Sequence, residues 1–196
     1  METYQMKKIF LLPIVLFFSF LQISSAYCDV LKITLGDTPL TLMGDHIKVG
    51  KPLPDIELSN LSLTITSLDS FKGKVTILSV VPSLDTPTCE KQTHILSEEN
   101  HGLDQNSNLI TISRDLPFAQ KRFSKNAKIN NLIFLSDYRD ASFGKSSGLL
   151  IQENRLLARA VFVLDKNGIV RYKEIVSKLA ELPNMEEAFK AAQALF

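Results

Sequence analysis

The segment that constrains this chain most is VTILSVV at residues 75–81, which runs directly into PSLDTPTCEKQT. An uncharged run rich in Val, Ile and Leu describes a strand covered on both faces. Such a strand needs helices packed on it, so the sequence predicts an α/β domain with a mixed central sheet. Residues 109–113 (LITIS) and 132–135 (LIFL) supply further buried strands. Helices are expected at about 88–99 and at 117–125, the second with Pro117 in its first turn. Residues 160–164 and 169–176 flank Asp165-Lys166-Asn167-Gly168, a hairpin turn, and 184–195 reads as an amphipathic helix capped by Asn184. Before the central strand, 30–35 and 40–43 flank Gly36-Asp37-Thr38-Pro39 as an N-terminal β-hairpin, and 56–58 with 61–68 form a second strand pair. In an open sheet of this kind the chemistry sits beyond the carboxyl ends of the strands. The segment after Val81 is therefore the first place to look.

A different kind of segment precedes this domain. Residues 9–23 (IFLLPIVLFFSFLQI) carry no charge; Lys7 and Lys8 stand before them, and Ser24, Ser25 and Ala26 after. That order predicts a secretory signal peptide over 1–26, cut after Ala26, and an exported domain over 27–196 in the periplasm or outside the cell. The apolar run is shorter than the ~20 residues of a spanning helix, so no membrane contact is expected once it is removed. With 22 basic and 21 acidic residues, the chain lacks the positive field that nucleic-acid binding needs. Two cysteines and three histidines, without a Cys-x-x-Cys pair, exclude a zinc cluster and a dithiol exchange motif.

Cys89 is where the chemistry concentrates. Asp85 or Thr86 can cap the following helix and Pro87 suits its first position, which puts Cys89 in the first turn. Unpaired N–H groups and the positive dipole end there favour an anion, and the thiolate is the nucleophilic form of cysteine. Thr86 lies three residues earlier, within reach across that turn. Two plainer readings stand beside this one: a buried cysteine that fills space, and a disulfide to Cys28 in an exported chain. Arg159 leads the apolar strand ARAVFVLD. A guanidinium buried there needs an anion, because it cannot shed its proton. The anion is either the Cys89 sulfur or a nearby carboxylate, unless Arg159 sits at a solvated strand end.

Pro82-x-x-x-Thr86-x-x-Cys89 resembles the active-site motif of the peroxiredoxins, and SVVPSLDTPTCEKQT resembles their thiol peroxidase (atypical two-cysteine) subfamily. The likeness extends over ITLGDTPLTL, SRDLPFAQKRF, Asn130-Asn131 and LLARAVFVLDKNGIV. It implies a thioredoxin-like fold, a homodimer, and reduction of hydrogen peroxide and organic hydroperoxides with a thioredoxin-like or small-thiol reductant. No cofactor is implied: no metal, haem or flavin. Carried over by position, Cys89 resembles the peroxidatic cysteine, Thr86 and Arg159 its activating partners, and Pro82 the proline that shields the sulfur.

One position departs from the pattern. The subfamily's resolving cysteine follows Arg-Phe on the helix after DLPFAQ, and here Ser124 stands in that place. A serine forms no disulfide with an oxidised cysteine. Either an external thiol completes a one-cysteine cycle, which the exposed chain terminus favours, or Cys28 takes the resolving role. The competing class is a thioredoxin-fold interaction protein or redox-triggered holdase without turnover. A Cys–His acyl-transfer enzyme would need a histidine at Cys89, and His94 lies off the shared helical face.

Overall fold

A computed structural model describes Met1 and residues 32–196. Apart from Met1, the expected leader over 1–26 lies outside the described residues, as do Cys28 and the first residues of the N-terminal hairpin. In chain order the strands are β1 (Ile33–Leu35), β2 (Thr38–Leu40), β3 (Leu42–Met43), β4 (Glu57–Asn60), β5 (Ile65–Ser67) and β6 (Thr76–Val80). They continue as β7 (Asn108–Ser113), β8 (Ile133–Ser136), β9 (Leu150–Ile151), β10 (Ala160–Leu164) and β11 (Val170–Ile175). The α-helices are α1 (Pro87–Glu98), α2 (Pro117–Asn126), α3 (Ser142–Ser147) and α4 (Met185–Gln193).

Seven strands form the central sheet in the order β11-β10-β6-β7-β8-β4-β5. β6, β7 and β8 run parallel, while β10 joins the other side of β6 antiparallel and β4 joins β8 antiparallel. Every residue of β6 and of β10 is buried, as the uncharged runs require. Their side chains alternate between two hydrophobic clusters, one on each face. Ile77, Val161 and Val163 join Leu96, Phe189 and Ala192 from α1 and α4. Leu78, Val80 and Phe162 join Ile33, Phe143 and Leu157. The expected mixed sheet with helices on both faces is thus present.

Local chemistry explains the turns. Asp165 closes the β10–β11 hairpin by accepting from the backbone N–H groups of Asn167 (2.9 Å) and Ile169 (3.0 Å). Gly168 takes the left-handed conformation the turn demands (φ +78°). The N-terminal hairpin turns on Gly36-Asp37 alone, so β2 starts at Thr38, earlier than expected. Its return strand also stops early. Thr41 donates its N–H to both oxygens of Glu153 (2.9 and 3.0 Å), and Leu42–Met43 pairs with β9 instead.

Helix α3 is invisible in the sequence pattern, because SFGKSS holds weak helix formers. Asp137 holds it from outside, accepting from Phe143 N (3.0 Å) and Gly144 N (2.9 Å). Burial pushes the Asp137 carboxyl above the usual carboxylate range, against those two hydrogen bonds.

Asn184 caps α4 as the sequence predicts, its side chain accepting from Glu187 N (3.1 Å). Asn184→Ala should therefore lower unfolding stability by about 1 kcal/mol, read as a shift in the urea midpoint at constant slope.

Candidate active site

The strand register decides where the chemistry gathers. Ala160 at the start of β10 lies opposite Val80 at the end of β6. The residue that leads into β10 and the loop that leaves β6 therefore meet at one edge of the sheet. That residue is Arg159, and that loop carries Pro82, Thr86 and Cys89.

Pro82 is buried directly after β6, and Pro87 occupies the first position of α1. The first intrahelical bond runs from Glu90 N to Thr86 O (3.0 Å), so the N–H groups of Thr88 and Cys89 come before it and belong to the open helix end. Cys89 is fully buried, with Gln92, Thr93 and Leu96 on the same helical face. Among the described residues it is the sole cysteine, and it is free.

Arg159 is only 2% exposed, which rules out a solvated strand end. Its guanidinium donates from Nε to Leu179 O (3.0 Å), from Nη1 to Gln92 Oε1 (2.8 Å) and from Nη2 to Cys89 Sγ (3.3 Å). None of the ion pairs among the described residues includes it, so the carboxylate alternative has no support. Of its three acceptors two are neutral amide oxygens. The Cys89 sulfur is the one that can carry a charge. A buried cation left without an anion costs several kcal/mol, and that cost falls when the sulfur ionises.

Gln92 escapes a sequence reading because a glutamine on a helix ordinarily faces water. Here it is fully buried, and its amide is used at both ends. Oε1 accepts from Arg159 while Nε2 donates to Ser79 Oγ (2.9 Å) and Ala160 O (3.4 Å). The available signal was its place three residues after Cys89, on the same face.

Thr86 occupies the N-cap position by its backbone, yet its side chain makes no capping bond, and neither does that of Asp85. The Thr86 hydroxyl instead donates to Ser83 O (3.0 Å). This corrects the expected side-chain cap: the hydroxyl is turned back onto the Ser83 carbonyl, and its oxygen accepts no N–H of the helix. Ser124 lies on α2 with its hydroxyl on Lys121 O (3.1 Å). A cleft of about 510 Å³ opens between the start of α1 and α2, lined by Thr86, Pro87, Glu90, Arg122 and Phe123 among others. His94 and His101 are engaged elsewhere, with Glu98 (2.6 Å) and Glu186 (2.9 Å). Among the described hydrogen bonds, no histidine reaches Cys89, so the acyl-transfer reading lacks its base.

The pattern of the Redoxin family matches residues 48–189, a span that holds every residue of this site. The chain belongs to the redoxin family, among its thiol peroxidases. This redoxin is 49% identical over 164 residues to the thiol peroxidase of Bacillus subtilis, which covers 84% of this chain and 98% of that relative. It is 47% identical over 163 residues to the thiol peroxidase of Streptococcus pneumoniae, covering 83% and 99%. In structure it is similar to a peroxiredoxin-like protein from Aquifex aeolicus, with a TM-score of 0.79 and 36% identity over 85% of this chain and 98% of the other. The expected thioredoxin-like fold and the peroxiredoxin resemblance are both borne out.

The arginine's role can be read without peroxide. Arg159→Met removes the cation at the sulfur, and alkylation of Cys89 by iodoacetamide at pH 7 should slow at least ~10-fold, followed by intact mass. Gln92→Ala, which frees one guanidinium N–H, should slow it less.

Proposed function

We propose that this redoxin reduces hydrogen peroxide and organic hydroperoxides at Cys89 by a one-cysteine cycle, with an external thiol as reductant. The observation that carries the reading is the buried Arg159 guanidinium, whose single ionisable hydrogen-bond partner among the described residues is Cys89 Sγ at 3.3 Å. Thiol peroxidase chemistry follows from the family, and this geometry supports the residue roles given below.

The thiolate of Cys89 attacks the nearer peroxide oxygen and the O–O bond breaks. Cys89 becomes a sulfenic acid, and the departing alkoxide or hydroxide takes up a proton. The N–H groups at the start of α1 face the negative charge that develops on the leaving oxygen. The Thr86 proton is already committed to Ser83 O, so toward the substrate Thr86 offers lone pairs. It accepts the peroxide O–H and so orders the two oxygens in line with the sulfur. Buried Pro82 helps keep competing water away.

One external thiol then condenses with the sulfenic acid, releasing water and leaving a mixed disulfide. A second thiol releases Cys89, so one hydroperoxide and two thiols give an alcohol or water, a water and a disulfide. Ser124 supports this external route, since it cannot form the internal disulfide. The physiological thiol is thioredoxin-like or a small molecule. The reading includes a signal peptide over 1–26, export to the periplasm or beyond, and a homodimer. No helix among the described residues is long and apolar enough to cross a membrane.

Peroxide consumption in excess dithiothreitol tests the assignment. Wild type and Cys28→Ser should turn over alike, and Cys89→Ser should lose at least ~1000-fold. Loss of turnover in Cys28→Ser would hand the resolving role to that residue. No Cys89-dependent consumption at all would favour the redox-triggered holdase.

A further inference from the structure

The mechanism leaves one carboxylate unused beside the site. Asp115 follows β7 and is half-buried, and none of the ion pairs among the described residues includes it. Its Oδ1 accepts from Ser83 Oγ (2.7 Å), and its Oδ2 accepts from Leu84 N (2.7 Å) and Ser113 Oγ (2.8 Å). Two of those three donors belong to the loop that carries Thr86. The third belongs to β7. Asp115 is itself anchored, because its carbonyl accepts from Ser136 Oγ at the end of β8. Ser113 Oγ also accepts from buried Gln120 of α2 (3.0 Å).

Ser83 relays this hold. Its hydroxyl donates to Asp115 and accepts from Asp85 N (3.3 Å), while its carbonyl accepts the Thr86 hydroxyl proton (3.0 Å). The direction of the Thr86 lone pairs thus depends on where Ser83 sits, and Asp115 sets that. The Arg159 guanidinium is held by a separate set of partners, Leu179, Gln92 and Cys89.

We propose that Asp115 is a positioning residue for the peroxide: through Ser83 it aims the Thr86 hydroxyl without acting on the Cys89 sulfur. The proposal rests on the reading of Thr86 given above. A carboxylate suits the place because every hydrogen bond it makes there is accepted. The amide of Asp115→Asn keeps one accepting oxygen; with that oxygen on the fixed Leu84 N–H, its N–H₂ faces Ser83 Oγ, whose hydroxyl must turn away.

Two reactions of the same sulfur separate positioning from general damage. One is oxidation by hydrogen peroxide, timed by stopped flow; the other is alkylation by iodoacetamide, which needs no help from Thr86. Asp115→Asn should slow oxidation by about 10- to 100-fold, since a misplacement of about 1 Å at a reacting centre can cost about 100-fold. Alkylation should stay within about twofold of wild type. Ser83→Ala, which cuts the relay from the other side and leaves the Asp115 backbone bonds in place, should shift the two rates in the same unequal way. On a Thr86→Val background, Asp115→Asn should add less than about twofold, because both act through one hydroxyl.

Unchanged oxidation in Asp115→Asn and Ser83→Ala overturns the proposal. So does an equal loss in both reactions, or a full additional loss on the Thr86→Val background. If Thr86→Val oxidises at the wild-type rate, the reading of Thr86 falls and takes the proposal with it. If wild-type Cys89 consumes no peroxide, the peroxidase reading itself has failed, which is a different result from a null at Asp115.

Discussion

A buried guanidinium that cannot lose its proton and meets no carboxylate among the described residues is the constraint around which this site is arranged. Arg159 is fixed on three sides, by a backbone carbonyl, a side-chain amide and a sulfur. The first two satisfy hydrogen bonds but return no charge. Exposed ion pairs are worth little, because water already screens them. Here water is excluded, so the attraction between the guanidinium and an anionic sulfur is weakly screened. The open end of α1 acts in the same direction, contributing typically 0.3–1 kcal/mol at an exposed helix end and more where partly buried.

That arrangement is a consequence of strand order. Had β10 run parallel to β6, the residue before it would lie at the opposite edge of the sheet. Antiparallel pairing, with Ala160 against Val80, brings Arg159 to the exit of β6, and the parallel neighbour β7 delivers Asp115 to the same edge. Two strands from distant parts of the sequence, β7 and β10, thus each place one polar group beside the loop that leaves β6. Their interiors remain apolar and hold those ends in place. Close packing in β6 and β10 is thus part of the site, because slack there would move Arg159 relative to Cys89.

The sheet and its main helices were legible because their signals are local. Uncharged runs rich in Val, Ile and Leu mark β6 and β7, Asp-Lys-Asn-Gly marks the last hairpin, and Asn184 marks the start of α4. The elements that escaped depend on distant partners. Helix α3 is held by Asp137, β9 exists because Leu42 and Met43 come to pair with it, and the first hairpin ends where Glu153 captures Thr41. The site divides the same way. Cys89, Thr86 and Pro82 stand in one motif, and Arg159 is conspicuous as a charge in an apolar run. Gln92 and Asp115 look like ordinary surface residues until the fold buries one and surrounds the other with donors.

The same edge of the sheet combines a fixed part with a looser one. Asp115 pins Ser83 and Leu84, so the loop before α1 is tied to β7 through side chains. The first turn of α1 has no side-chain cap, and a missing cap typically removes about 1 kcal/mol from a helix end. A peroxide is small, whereas even a small-molecule thiol is larger and must reach a sulfur with no exposed surface. The pinned loop serves the step that needs alignment. The uncapped turn lacks the side-chain bond that would fasten its open end, so it resists displacement less than a capped turn does. Replacing the resolving cysteine with Ser124 makes that second property matter more here, because the thiol that completes the cycle must then come from outside this helix pair.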